Sequence, residues 1–119
     1  MSPEIVPLPS QARAAGLARE ALERHLAGVS GARRADARLL VSELVTNAFR
    51  HGRPPITLTI DTVDDRLRVE VEDAGAGRPL RRPEPGADGG WGLLLVETAA
   101  DRWGVADGST SVWFEIDAA

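Results

Sequence analysis

This 119-residue chain has no cysteine, and all 14 of its basic residues are arginine, so lysine is missing as well. Without cysteine there is no disulfide scaffold, no thiolate zinc site and no cysteine nucleophile. Without lysine there is no Walker-type phosphate-binding lysine, no Schiff base and no lysine general base. Long apolar stretches are missing too. The longest uninterrupted run is Leu93–Val96, far short of a membrane span, and no signal-peptide pattern opens the chain. An excess of positive charge is likewise absent: 18 acids against 14 bases leave a net charge of −4, which argues against a nucleic-acid binder. The length matches one domain, able to bury roughly two-thirds of its unfolded surface without staples. The expectation is a soluble, cytoplasmic, single domain over residues 1–119, with 1–8 and 117–119 at its periphery.

Met1–Pro9 carries three prolines in nine residues and cannot be helical, although Ile5, Val6 and Leu8 suit a short edge strand. Ser10 is the expected N-cap of a first helix. Its apolar positions are Ala14, Leu17, Ala18, Ala21, Leu22 and Leu26, its outer face is charged, and its stop is Gly28. After the break at Ser30-Gly31 a second helix runs to about His51 and ends at Gly52 before Pro54-Pro55. The period then switches to two. Ile56, Leu58 and Ile60, then Leu67, Val69 and Val71, alternate with polar residues around an Asp64-Asp65 turn, which predicts an antiparallel hairpin. Residues 74–90 hold five glycines, three prolines and three arginines and read as a long loop. A third helix is expected from about Gly92 to Ala100. Closing strands follow near Trp103–Ala106 and Ser111–Ile116, joined at Asp107-Gly108. The fold class is α+β: a two-layer α/β sandwich, three helices on one face of a mixed, mainly antiparallel sheet.

Three places break this pattern. On the second helix, Leu40, Val41, Leu44, Val45, Ala48 and Phe49 share an apolar arc, and Glu43 and Asn47 line its edge at i, i+4, with His51 a turn further on. Such a pair suits a pocket wall, or is simply the boundary of an amphipathic helix. Asp73 continues the inward parity of Leu67, Val69 and Val71. It therefore needs a donor, or else caps a turn in Asp73-Ala74-Gly75. Gly89-Gly90-Trp91-Gly92 precedes the third helix, where free N–H groups and the dipole favour an anion. No GxxxxGK[ST] and no strand–GxGxxG–helix unit is present, which excludes P-loop and Rossmann sites.

The order of these three boxes resembles the GHKL (Bergerat-fold) ATP-binding superfamily. The phrases Glu43-Leu-Val-Thr-Asn47-Ala48-Phe49-Arg50-His51-Gly52 and Gly90-Trp-Gly92-Leu-Leu-Leu-Val96-Glu97 are similar to those of bacterial anti-sigma-factor serine/threonine kinases. The ending Asp101-Arg-Trp-Gly104 and Val112-Trp113-Phe114 resembles actinobacterial members of that group. The likeness covers roughly residues 8–116. It implies ATP and Mg²⁺ as cofactors. Asn47 would be the metal ligand and Glu43 the general base. Asp73 would accept from the adenine amino group, Gly75 and Gly77 would let the loop pass over the base, and Gly90 and Gly92 would offer N–H groups to the phosphates. Thr110, in phase with Val112, Phe114 and Ile116, would join Asp73 around the base.

With lysine absent, a cationic phosphate contact falls to an arginine among Arg50, Arg53, Arg78, Arg81 and Arg82. His51 reads as a dipole partner at a helix end, His25 as a boundary residue, Trp103 and Trp113 as packing residues, and Trp91 as a residue that moves with the lid expected from Arg78 to Gly89. The implied activity is phosphorylation of an anti-anti-sigma-type partner by a cytoplasmic anti-sigma-factor kinase, with homodimers common in the group. Two alternatives stand beside it. One is a non-catalytic ATP-binding module that sequesters a sigma factor or other regulator, with the first-helix face of Arg13, Arg19 and Arg24 for docking. The other is a slow hydrolase that uses ATP as a switch. No nucleic acid or membrane is expected as a partner.

Overall fold

The computed structural model describes residues 3–75, 96, 98–105 and 111–118. The hairpin is the clearest case of sequence dictating geometry. Strands β2 (Ile56–Val63) and β3 (Arg66–Glu72) pair antiparallel, with Ile60 opposite Val69 and Leu58 opposite Val71. The turn between them puts Asp64 at φ 51° and Asp65 at φ 62°. Both are left-handed, the conformation a two-residue hairpin loop of matching twist requires and one that aspartate tolerates better than most residues.

Strand β1 (Glu4–Leu8) adds to the free side of β2, as the short edge strand anticipated from Ile5, Val6 and Leu8. On the other side, β5 (Val112–Asp117) pairs with β3, and β4 (Arg102–Val105) pairs with β5. The order is β1-β2-β3-β5-β4, and all four pairings are antiparallel. The expected mixed sheet therefore shows no parallel pair among the described residues. Strands β4 and β5 each lie within one residue of their expected bounds.

One face of the sheet is apolar. Leu58, Ile60, Leu67, Val69, Phe114 and Ile116 have no exposed surface, and they pack with Leu22, Leu40, Val41 and Val45 from the helices. Trp103 packs on the rim of this core. The opposite face is ionic: Arg102 Nε donates to Glu115 Oε1 at 2.7 Å and Arg68 Nη1 to Glu115 Oε2 at 3.3 Å. Those contacts, Arg102 first, hold the Glu115 carboxyl below the usual carboxylate range. Trp113 lies on this outer face, with the Arg68 guanidinium 4.2 Å from its ring centre and its edge against Gly104 of the next strand. It packs as expected, but outside the main core.

Helix α1 (Ala14–Glu23) is shorter than its periodicity suggested. Arg13, not Ser10, holds the N-cap position, because residues 10–13 form a turn closed by Ala14 N donating to Gln11 O at 3.0 Å. The stop moves from Gly28 to Glu23. Leu26 and Val29 are still buried, delivered by successive turns rather than by helix. Helix α2 (Gly31–His51) has the expected limits, with Ser30 before it and Gly52 after it. Its buried residues are Ala37, Leu40, Val41, Leu44, Val45 and Ala48. Phe49 departs from the expected apolar arc and is 36% exposed, since it lies at the arc's far edge, on the opposite side of the helix from Leu40. The described residues hold two full helices, against the three expected; within the span expected for the third, Val96, Thr98 and Ala99 are helical, and Ala100 N donates to Val96 O at 3.0 Å. The rest of that expected span and the turn expected at Asp107-Gly108 lie outside the described residues.

Candidate functional site

Helix α2 places Glu43 and Asn47 on successive turns, both half-buried along the border of the stripe formed by Leu40, Leu44 and Ala48. Among the described residues, neither side chain takes a hydrogen bond or ion pair. A carboxylate and an amide oxygen are thus left at the helix edge with their lone pairs uncommitted to the fold. Their positions fit the chemistry of a base and of a hard-cation ligand.

Asp73 follows directly on β3, whose Leu67, Val69 and Val71 are buried, and it is itself half-buried. Its Oδ1 accepts from Gly75 N at 2.6 Å and from Arg53 N at 3.3 Å. The first bond is the local turn chemistry that Asp-x-Gly favours. The second reaches across from the end of α2, and it is reinforced by Ala74 N donating to Arg53 O at 2.8 Å. Asp73 thus caps its own turn, as one of the two sequence readings had it, and also accepts from the main chain at the end of α2.

The two halves of the site meet at Gly52. On a rise of about 1.5 Å per residue, Asn47 lies ~7.5 Å and Glu43 ~13.5 Å back along the helix axis from this point. Measured along the axis of α2, the order is therefore Asp73 beside Gly52, then Asn47, then Glu43. Gly75 is half-buried at the start of the following loop. Gly77, Gly90, Trp91, Gly92 and Thr110 lie outside the described residues, as do Arg78, Arg81 and Arg82. Arg50, His51 and Arg53 are exposed at the end of α2. The contribution of Arg53 is its backbone, which sequence reasoning missed because hydrophobic period and motif spacing carry no signal for a main-chain donor.

The arginines of α1 find separate partners. Arg13 Nε donates to Gln11 Oε1 at 2.8 Å, and Arg19 Nη1 donates to Ser42 Oγ at 2.9 Å. Arg24 pairs with Glu4 of β1, whose other contact is His25 Nε2 at 2.7 Å from Oε1. Arg24 first and then His25 hold the Glu4 carboxyl down at about 2. His25 is accordingly more than a boundary residue, since it ties the edge strand to the end of α1. No group of three or more metal-binding side chains occurs among the described residues, and no described helix is long and apolar enough to cross a membrane.

A two-layer α+β domain with a carboxylate at a strand end and a Glu/Asn pair on the adjoining helix is the architecture of a GHKL nucleotide-binding domain. The chain matches the histidine kinase-like ATPase domain family over residues 6–116, and it belongs to that family. Among solved structures it is similar to the crystal structure of the RsbU and RsbW domains of Rv1364c from Mycobacterium tuberculosis, with a TM-score of 0.71 and 25% sequence identity. That alignment covers 98% of this chain but only 32% of the other, so the chain spans about a third of the length of that relative. No protein of curated function matches it.

Proposed function

We propose that this protein is an ATP-binding anti-sigma-factor serine/threonine kinase, acting in the cytoplasm on an anti-anti-sigma-type partner. The observation that carries the reading is the order along the axis of α2: the Asp73 carboxylate at the helix end, Asn47 next, and Glu43 furthest away. That is the order a nucleotide needs, with the base at one end, the phosphates in the middle and the acceptor hydroxyl beyond them. Likeness to a protein containing an RsbW domain supports the same class.

In this reading Asp73, held by Arg53 N and Gly75 N, selects a base edge that offers an amino hydrogen. Asn47 supplies a neutral oxygen for Mg²⁺, whose chemistry when bound is to neutralise phosphate charge. Glu43 accepts the proton of the attacking serine or threonine hydroxyl. Its half-buried place beside Leu44 limits competition from water. Gly77, Gly90, Gly92 and Thr110 complete the proposed nucleotide contacts. Phosphoryl transfer depends chiefly on positioning and charge neutralisation, so few side chains are required.

The test has two stages. Calorimetric titration with Mg-ATP should give saturable binding that Asp73→Asn removes. Labelled γ-phosphate should then move to a serine or threonine of an anti-anti-sigma-type protein, and Glu43→Ala should stop transfer while leaving binding intact. Partner binding without label transfer, unchanged in Glu43→Ala, would mark a sequestering module instead.

A further inference from the structure

Gly52 ends helix α2, and its backbone does not explain why it is glycine. Its φ of −95° and ψ of −165° are extended values that any residue adopts. The explanation lies in what surrounds it. A Cβ at this position would stand 2.5 Å from Asp73 Cγ, nearer still to Asp73 Oδ2, and 2.7 Å from the carbonyl oxygen of Ala48. Neither neighbour is free to give way. The Ala48 carbonyl accepts from Gly52 N at 2.9 Å. Asp73 is fixed through Oδ1 by Gly75 N and Arg53 N, and Ala74 N donating to Arg53 O joins the same two segments.

From this geometry we infer that Gly52 is a positioning residue for Asp73: its missing side chain is the space in which the carboxylate sits. Helix α2 is continuous from Glu43 through His51. The Gly52–Asp73 contact therefore sets the separation between the Glu/Asn half of the site and the strand-end half. A methyl group at residue 52 has to turn the carboxylate, or part Arg53 from Asp73 and Ala74. The consequence for nucleotide rests on the proposed function; the placement of the carboxylate does not.

Gly28→Ala serves as the control, since nothing lies within 4 Å of a Cβ there. The first readout needs no nucleotide. In NMR spectra of the whole chain, the amide protons of Arg53 and Gly75 should both follow one carboxylate titration as the solution is acidified. Gly28→Ala should retain this behaviour. Gly52→Ala should lose it at one or both amides. The second readout is Mg-ATP affinity, expected to fall at least ~30-fold in Gly52→Ala and less than ~3-fold in Gly28→Ala, about 2 kcal/mol against less than 0.7.

A double-mutant cycle of melting temperatures with Asp73→Ala reads the crowding directly, and if Gly52→Ala alone does not fold, the Asp73→Ala/Gly52→Ala double variant should still fold, its failure to do so overturning the inference. Adding Gly52→Ala to Asp73→Ala should cost less than half of what it costs the wild type, because the obstructed group is gone. An equal cost in both backgrounds would assign the crowding to the Ala48 carbonyl and overturn the inference. So would retained titration at both amides in Gly52→Ala. Failure of the wild type to bind Mg-ATP would overturn the proposed function alone, since the amide titrations and the cycle decide the role of Gly52 without it.

Discussion

On the proposed function Asp73 has two tasks, which point mutations can separate. Asp73→Ala removes an acceptor used by Gly75 N at 2.6 Å and by Arg53 N at 3.3 Å. Bonds to a charged acceptor are each worth about 1.5–3 kcal/mol, and the longer one falls at or below the lower end. Partial exposure reduces both values. The expected loss is ~2–3 kcal/mol. Unfolding entropy of roughly 2.1 cal/mol/K per residue, applied to 119 residues, gives ~0.25 kcal/mol/K, so the melting temperature should drop by about 8–12 °C.

Asp73→Asn keeps a neutral oxygen for the same two amides and should lose only ~1 kcal/mol, or about 4 °C. It places an –NH₂ where the second carboxylate oxygen was, so an amino group of the base would meet a donor in place of an acceptor. Two donors facing each other in a half-buried site should cost at least ~2.7 kcal/mol of binding, a hundredfold in affinity. Scanning calorimetry and Mg-ATP titration on the three proteins check this. The reasoning fails if Asp73→Asn melts as low as Asp73→Ala, or if it binds ATP within threefold of the wild type.

Three further outcomes are expected. Asn47→Ala should lower Mg-ATP affinity and weaken its dependence on Mg²⁺ concentration, whereas Glu43→Ala should leave affinity within threefold; both are read by calorimetry with and without the metal, and a Mg²⁺ dependence untouched by Asn47→Ala would contradict the ligand assignment. The Glu4 carboxyl, held at about 2 against a usual 4.5 by Arg24 and then His25, contributes stability that is complete above 4.5 and lost as pH falls through 2. The gap in urea midpoint between wild type and Glu4→Gln should shrink across that window, and a constant gap would show that the β1 clasp adds nothing. Phe114→Ala, at a fully buried position in β5, should cost ~3–5 kcal/mol by transfer and cavity terms, or about 12–20 °C in melting temperature; a loss under ~1.5 kcal/mol would mean the core collapses around the gap.

The hairpin from Ile56 to Glu72 and the limits of helix α2 were legible in the sequence because each is a local matter. Alternation puts one face in the core, two aspartates accept a left-handed turn, and Gly52 with the prolines stops a helix. The positions of Glu43, Asn47 and Asp73 could be picked out for a related reason: each is a polar residue at the edge of an apolar series or continuing its inward parity. The ends of α1 were not legible. Leu22, Leu26 and Val29 are all buried whether the chain between them is helical or turned, so periodicity alone extends the helix too far. Phe49 had an apolar residue's place in the period but sits at the far edge of the buried arc, where it stays partly exposed while Ala48 beside it is buried.

What the tertiary structure decided is how the pieces of the site are joined. Sequence assigned Gly52 to a helix stop and Asp73 to a strand end, 21 residues apart, each with a sufficient local explanation. Only folding brings the Arg53 amide to the Asp73 carboxylate and leaves no room for a Cβ at Gly52. Main-chain donors and excluded volume belong to no residue type in particular. Patterns of residue types therefore cannot announce them, and they exist only once the helix end and the strand end have packed.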